Sequence, residues 1–157
     1  MSAIELLTAQ HREVEQRLSR LFEVEGGARV RLIGEIAELL TLHTALEERY
    51  FYPVLRVEGL AGHVERSFAE HAEVKRLLSD IMEMKQRDPR LKEVLSRLSE
   101  AVTKHMQEEE QQVFPEAVRR IDDAVLRSTE EEMRRAMGQL ENEELLAAAD
   151  HGGLSPS

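Results

Sequence analysis

His43-Thr44-Ala45-Leu46-Glu47-Glu48-Arg49-Tyr50-Phe51-Tyr52-Pro53 recurs sixty-two positions later as His105-Met106-Gln107-Glu108-Glu109-Glu110-Gln111-Gln112-Val113-Phe114-Pro115. Both copies read His-x-x-x-Glu-Glu, then an aromatic directly before proline, at matched offsets. On a helix, residues i and i+4 share one face, about one turn apart. Each copy therefore aims an imidazole and a carboxylate in one direction, and both are metal-ligand types.

Outward from these copies, apolar residues keep helical spacing. The first stripe is Ile4, Leu7, Val14, Leu18 and Leu21, with His11 filling its gap, and Gly26-Gly27 supplies the turn. A second helix is expected over 28–56, with Ile33, Ile36, Leu40, His43, Glu47, Tyr50 and Val54 inward. Pro53 is expected to kink or end its last turns. A third helix over 62–86 turns Val64, Phe68, His71, Leu78, Ile81 and Met82 inward, and Asp88-Pro89 marks a turn. A fourth over 90–119 carries Leu91, Val94, Leu98, Val102, His105, Glu109 and Gln112. Beyond it, Ser128-Thr129-Glu130-Glu131 reads as a capping box for a fifth helix with Met133, Met137, Leu140 and Leu145 as a weaker apolar face.

Four long amphipathic helices with short connections predict an all-α, antiparallel up-down-up-down four-helix bundle with an additional C-terminal helix. The bundle is assigned to 1–120, the added helix to 121–149 and a disordered tail to 150–157.

The repeat is larger than the motif, because His11 and His71 also stand sixty positions apart. The chain is two similar hairpins, each with a lone histidine on its first helix and His-x-x-x-Glu on its second. Folded together they bring His11, His43, Glu47, His71, His105 and Glu109 to one level of the core. A lone core histidine is ordinarily satisfied by a hydrogen bond. Two buried carboxylates without cations cost several kcal/mol each, and a dinuclear metal centre compensates that charge. Imidazole with carboxylate suits iron, as well as zinc or manganese. Antiparallel pairing assigns His11 with His43 to one ion and His71 with His105 to the other. His63 reads as surface, His151 as tail, Glu48, Glu108 and Glu110 as solvated, and Phe51, Phe68 and Phe114 as packing. Tyr50 serves either as a wall of the site or as plain packing. Glu15, Tyr50 and Glu110 are the candidates for an extra ligand.

Composition limits the alternatives. A net charge of −10 offers no basic face for nucleic acid. With no cysteine, disulfides, zinc-thiolate sites and iron–sulfur clusters are excluded. No signal peptide and no membrane span are read, so a cytoplasmic location without membrane or nucleic-acid partners is expected.

Over roughly residues 4–119 these motifs resemble the hemerythrin-like, HHE cation-binding domain family. The resemblance implies a non-haem centre of two iron ions bridged by an oxo or hydroxo group. His11, His43, His71 and His105 would be ligands, and Glu47 and Glu109 would be bridges. It also implies dioxygen, peroxide or nitric oxide as the small-molecule partner. The activity would then be catalase-like, reversible oxygen or nitric oxide binding or sensing, or iron handling. The chain departs from the oxygen carriers at Lys75, where those resemble a second third-helix histidine, and at Glu110, where they carry aspartate. One imidazole fewer leaves the pair open to peroxide.

Overall fold

The computed structural model describes the backbone of residues 1–152 and the side chains of residues 1–143. Helix α1 spans Ala3–Arg20, with the Ser2 hydroxyl accepting from the Glu5 amide at its N-terminus. Gly26, at φ 60, opens α2 at Gly26–Leu46. The rod then passes through a π-helical turn, Glu47–Phe51, into α3 at Tyr52–Val57. Helix α4 covers Ala61–Glu83 and α5 Leu91–Glu108; a second π turn, Glu109–Val113, leads into α6 at Phe114–Arg120. Helix α7 runs Asp123–Gly152 and packs on α1, α2 and the first π turn. The described residues form helices without strands, so the expected all-α fold is observed.

The two π turns sit at the motif copies, for a backbone reason. Pro53 and Pro115 have no N–H to give the carbonyls of Arg49 and Gln111, so the α ladder cannot continue there. Instead the Tyr52 and Phe114 amides bond five residues back, to the Glu47 and Glu109 carbonyls. Each proline then sits in the first turn of the next α segment, where a missing donor costs nothing. The expected kink at Pro53 is thus a π turn within a continuing helix.

Each π turn adds one residue and shifts the helix phase by about 100°. This overturns the inward stripes downstream of the motifs. Phe51, Tyr52 and Leu55 are buried where Tyr50 and Val54 were expected, and Val113 and Phe114 are buried where Gln112 was expected. On α4, Met82 is 66% exposed and Val74 and Leu77 are buried instead.

Two apolar clusters stack along the bundle axis. One holds Leu6, Leu7, Leu46, Phe51, Tyr52, Leu55, Phe114 and α7's Met133. The other holds Val14, Leu18, Ile36, Leu40, Val74, Leu95, Leu98 and Val102. His11, His43, His71, His105, Glu47 and Glu109 form a polar layer between them.

The C-terminal helix begins five residues before the expected capping box. Ser128-Thr129 is therefore helix interior, and the Thr129 hydroxyl donates back to the Val125 carbonyl at 2.8 Å. The helix also continues past Ala149 to Gly152, into the expected tail, and residues 153–157 lie outside the described residues, as does the Leu145 side chain. Among the described residues, no helix is long and apolar enough to cross a membrane.

Candidate metal centre

The six expected residues come from four rods, α1, α2 with its π turn, α4, and α5 with its π turn, and all are between 0% and 5% exposed. Ligand-type atoms of His11, His43, Glu47 and Glu109 lie within 4.8 Å of one another, as do those of Glu47, His71 and His105. The imidazoles pair as antiparallel packing requires. His11 Nε2 is 3.2 Å from His43 Nε2, and His71 Nε2 is 3.1 Å from His105 Nε2.

Glu47 connects the pairs. Its Oε1 lies 2.8 Å from His43 Nε2 and its Oε2 lies 3.0 Å from His71 Nε2. Glu109 Oε1 stands 3.2 Å from both His11 Nε2 and His105 Nε2.

The outward ring nitrogens face acceptors. His43 Nδ1 meets Gln10 Oε1 at 2.8 Å, His11 Nδ1 meets Glu110 Oε2 at 3.1 Å, and His105 Nδ1 meets Glu70 Oε1 at 3.3 Å. His71 Nδ1 faces Glu48 Oε1 at 3.7 Å, a charge contact too long for a hydrogen bond. Carboxylate and amide oxygens only accept, so the Nδ1 atoms they bond must carry the proton. In the neutral ring, the form a metal binds, the Nε2 lone pairs then point inward, which is the tautomer of a metal-ligating histidine. Glu48 and Glu110, expected to be solvated, are half-buried supports of His71 and His11.

Burial opposes charge in this layer, and mutual pairing overrides it. Burial lowers His43, but Glu47 and Glu109 raise it to about 9. Burial lowers His105 as well, and Glu109, with Glu47 and Glu70, lifts it to about 12. Burial and the Glu47 charge raise Glu109, yet His105 and His11 hold it at about 2. Burial raises Glu47 too, and His43, His105 and His71 keep it well below the usual carboxylate range. Without a metal, protons shared among imidazoles and carboxylates neutralise the layer.

Tyr52, like Gln10 and Glu70, was not picked out from the sequence. Its hydroxyl donates to Glu47 Oε2 at 2.6 Å and Glu109 Oε2 at 3.0 Å, and lies 3.2 Å from His71 Nε2. Burial, then the two carboxylates, push its phenol well above its ordinary range, so it remains a donor. The π turn brings it here by placing the fifth residue after Glu47 on the Glu47 face. The signal was present in the aromatic before proline. The equivalent Phe114 stacks on His11 with ring centroids 5.7 Å apart, as Tyr52 stacks on His71 at 5.6 Å.

The three candidates for an extra ligand stand elsewhere. Tyr50 is half-buried against the apolar cluster, Glu15 pairs with Arg12 at 2.7 Å, and Glu110 faces the outer nitrogen of His11. Lys75 is 58% exposed and reaches Glu48 at 3.5 Å. His63 is half-buried rather than on the surface, and it lines a crevice of about 10 Å³ that reaches Glu109 between Glu70 and Glu108. A larger groove of about 590 Å³ runs between α2 and α7, and no residue of the polar layer lines it.

The model of the hemerythrin HHE cation binding domain matches residues 2–117, and again, in an overlapping register, 68–153. The chain belongs to this family. The second match begins within α4, the first helix of the second hairpin. An HHE domain-containing protein from Mycobacterium kansasii superimposes with a TM-score of 0.82 at 24% identity, over 93% of this chain and 91% of that one. A curated relative, named DNA nickase, from Nostoc sp. (strain PCC 7120) is 26% identical over 115 residues, 73% of this chain. The chain spans about a third of that relative's length, 33%.

The layer suits the cation for which the HHE family is named. Once His43 gives up its second proton, the Nε2 atoms of His11 and His43 present lone pairs to each other across 3.2 Å. Glu47 Oε1 makes no hydrogen bond, although it is buried and 2.8 Å from His43 Nε2. Converging lone pairs and an orphaned carboxylate oxygen are offset by a proton or a metal ion.

Proposed function

We propose that this HHE domain holds two iron ions and reacts with dioxygen, peroxide or nitric oxide, with decomposition of peroxide as its principal activity. The observation that carries the reading is Glu47, which offers one oxygen to each imidazole pair. His11 with His43 would hold one ion and His71 with His105 the other, with Glu47 and Glu109 shared. A bound iron pair supplies two redox equivalents at neighbouring positions.

The chain supplies the surroundings. Apolar clusters above and below the layer exclude bulk water. Tyr52 keeps its proton on the phenol oxygen and restrains both glutamates through it. The crevice beside Glu109, about 10 Å³, has room for roughly one water-sized molecule, which favours small ligands. Two peroxide molecules give two waters and one dioxygen, one peroxide being reduced and the other oxidised, so no external reductant enters. The proposal places the reaction in the cytoplasm. The acidic chain, at −10, gives no support for DNA as a partner.

The test is elemental analysis with the optical spectrum after iron-replete expression, followed by stopped-flow mixing of anaerobic diferrous protein with dioxygen and with peroxide. Two irons per chain, irreversible oxidation and dioxygen release from peroxide are expected. Dioxygen uptake that reverses under vacuum, with peroxide untouched, would leave a carrier or sensor.

A further inference from the structure

We infer that the two metal positions are unequal, and that the one framed by His71 and His105 fills first and binds more tightly than the one framed by His11 and His43. The inference rests on the paired-metal reading above.

The repeat makes the positions comparable residue by residue. Gln10 directly precedes His11, and Glu70 directly precedes His71. Each supports the outward nitrogen of the histidine paired with its neighbour. Gln10 accepts from His43 Nδ1 with a neutral amide oxygen, and Glu70 accepts from His105 Nδ1 with a carboxylate. A carboxylate behind a ligating imidazole raises its donor strength. It also raises proton affinity, but a divalent cation feels the same charge twice as strongly as a proton does, so the metal gains more.

The other two supports match in charge but not in contact: Glu110 meets His11 Nδ1 at 3.1 Å, whereas Glu48 stands 3.7 Å from His71 Nδ1, and each carboxylate has its own cation. Glu110 behind His11 is paired with Arg12, and Glu48 behind His71 is paired with Lys75. Glu70 adjoins Glu108, whose partner Lys104 is 73% exposed and screened by solvent. One further feature favours the same position. The crevice that reaches Glu109 opens beside Glu70, on the side of the second hairpin.

The experiment is an anaerobic calorimetric titration of metal-free protein with Fe(II), together with anomalous diffraction from crystals given one equivalent. Wild-type protein should take up two ions in two resolved steps, with the first ion beside His71 and His105. Glu70→Gln, which gives the second hairpin the first hairpin's support, should weaken the tighter step by about 10–100-fold. Gln10→Glu should strengthen the weaker step, and the double variant should exchange the order. The diffraction arm uses wild-type protein and is independent of how the variants fold. Two ions of equal affinity, a first ion beside His11 and His43, or unchanged steps in Glu70→Gln would overturn the inference while leaving the paired site intact. Uptake of one ion in total would overturn both.

Discussion

The two hairpins share a pattern, but neither makes a complete site. Gln10 and Glu70 each support a histidine within their own hairpin. The other supports cross over: Tyr52 and Glu48 serve His71, while Phe114 and Glu110 serve His11. The duplicated motif therefore locks the hairpins together through the site, and its few unmatched positions differentiate the halves. Tyr52 against Phe114 and Glu70 against Gln10 are such positions; each places a polar or charged group at the His71–His105 pair and a neutral one at its counterpart.

The strongest way to break the comparison is to remove a residue common to both halves. Glu47→Ala should abolish paired metal uptake and destabilise the metal-free protein by about 3–5 kcal/mol, because it leaves buried imidazoliums without their partner. Urea unfolding measures the loss, and a change below about 1 kcal/mol, typical of a surface pair, would show the halves to be independent. Tyr52→Phe makes the aromatic walls alike. Losing a donor to two buried carboxylates should cost about 1.5–3 kcal/mol in the metal-free protein. The reverse change, Phe114→Tyr, should recover nothing, and chemical denaturation of both variants decides this.

The pH dependence sharpens the contrast at the histidines. His43 is raised to about 9 and His105 to about 12. Their contribution to the metal-free fold is full below the ordinary value of about 6.5. It is lost as pH rises through the folded values, at His43 first. Glu109, held at about 2, contributes above the ordinary carboxylate range and loses its contribution as pH falls toward that value. The metal-free protein should therefore be most stable at about pH 4.5–6.5. Loading displaces the protons on His43 and His105, so the stabilisation by metal should grow from pH 6 to pH 9 and loading at neutral pH should release protons. Thermal melts with and without metal, and titrations in buffers of different ionisation enthalpy, read both effects; a stabilisation by metal that is flat across that range would contradict the imidazolium assignment.

The smallest effect is expected at Lys75, which stands outside the layer. Lys75→His should change stability by no more than about 0.5 kcal/mol and leave metal stoichiometry unchanged. A third imidazole signal from the second position would show that this turn of α4 can rotate inward.

His43 with Glu47 and His105 with Glu109 were legible because i,i+4 spacing fixes their direction, His11 and His71 because they fill apolar stripes, and the repeat distinguishes all six from chance. The expected bundle was equally legible from the stripes upstream of each motif. Downstream of Glu47 and Glu109 the reading failed, since a regular α phase was carried through Pro53 and Pro115. That error put Tyr50 and Gln112 inward, and hid Tyr52. Glu48 and Glu110 read as solvated, and Gln10 and Glu70 drew no reading, because their role depends on the neighbouring rod, and no spacing within one helix reports that.

The sequence by itself determined the helical class, the duplicated hairpin and the ligand-type residues, because these follow from local periodicity and from side-chain chemistry. Only the tertiary structure decided which residues stand behind each imidazole, where the π turns send Tyr52 and Phe114, and which half carries the extra charge. Those depend on how four rods meet, and the contacts that settle them join residues such as His11 and Glu110 that lie ninety-nine positions apart.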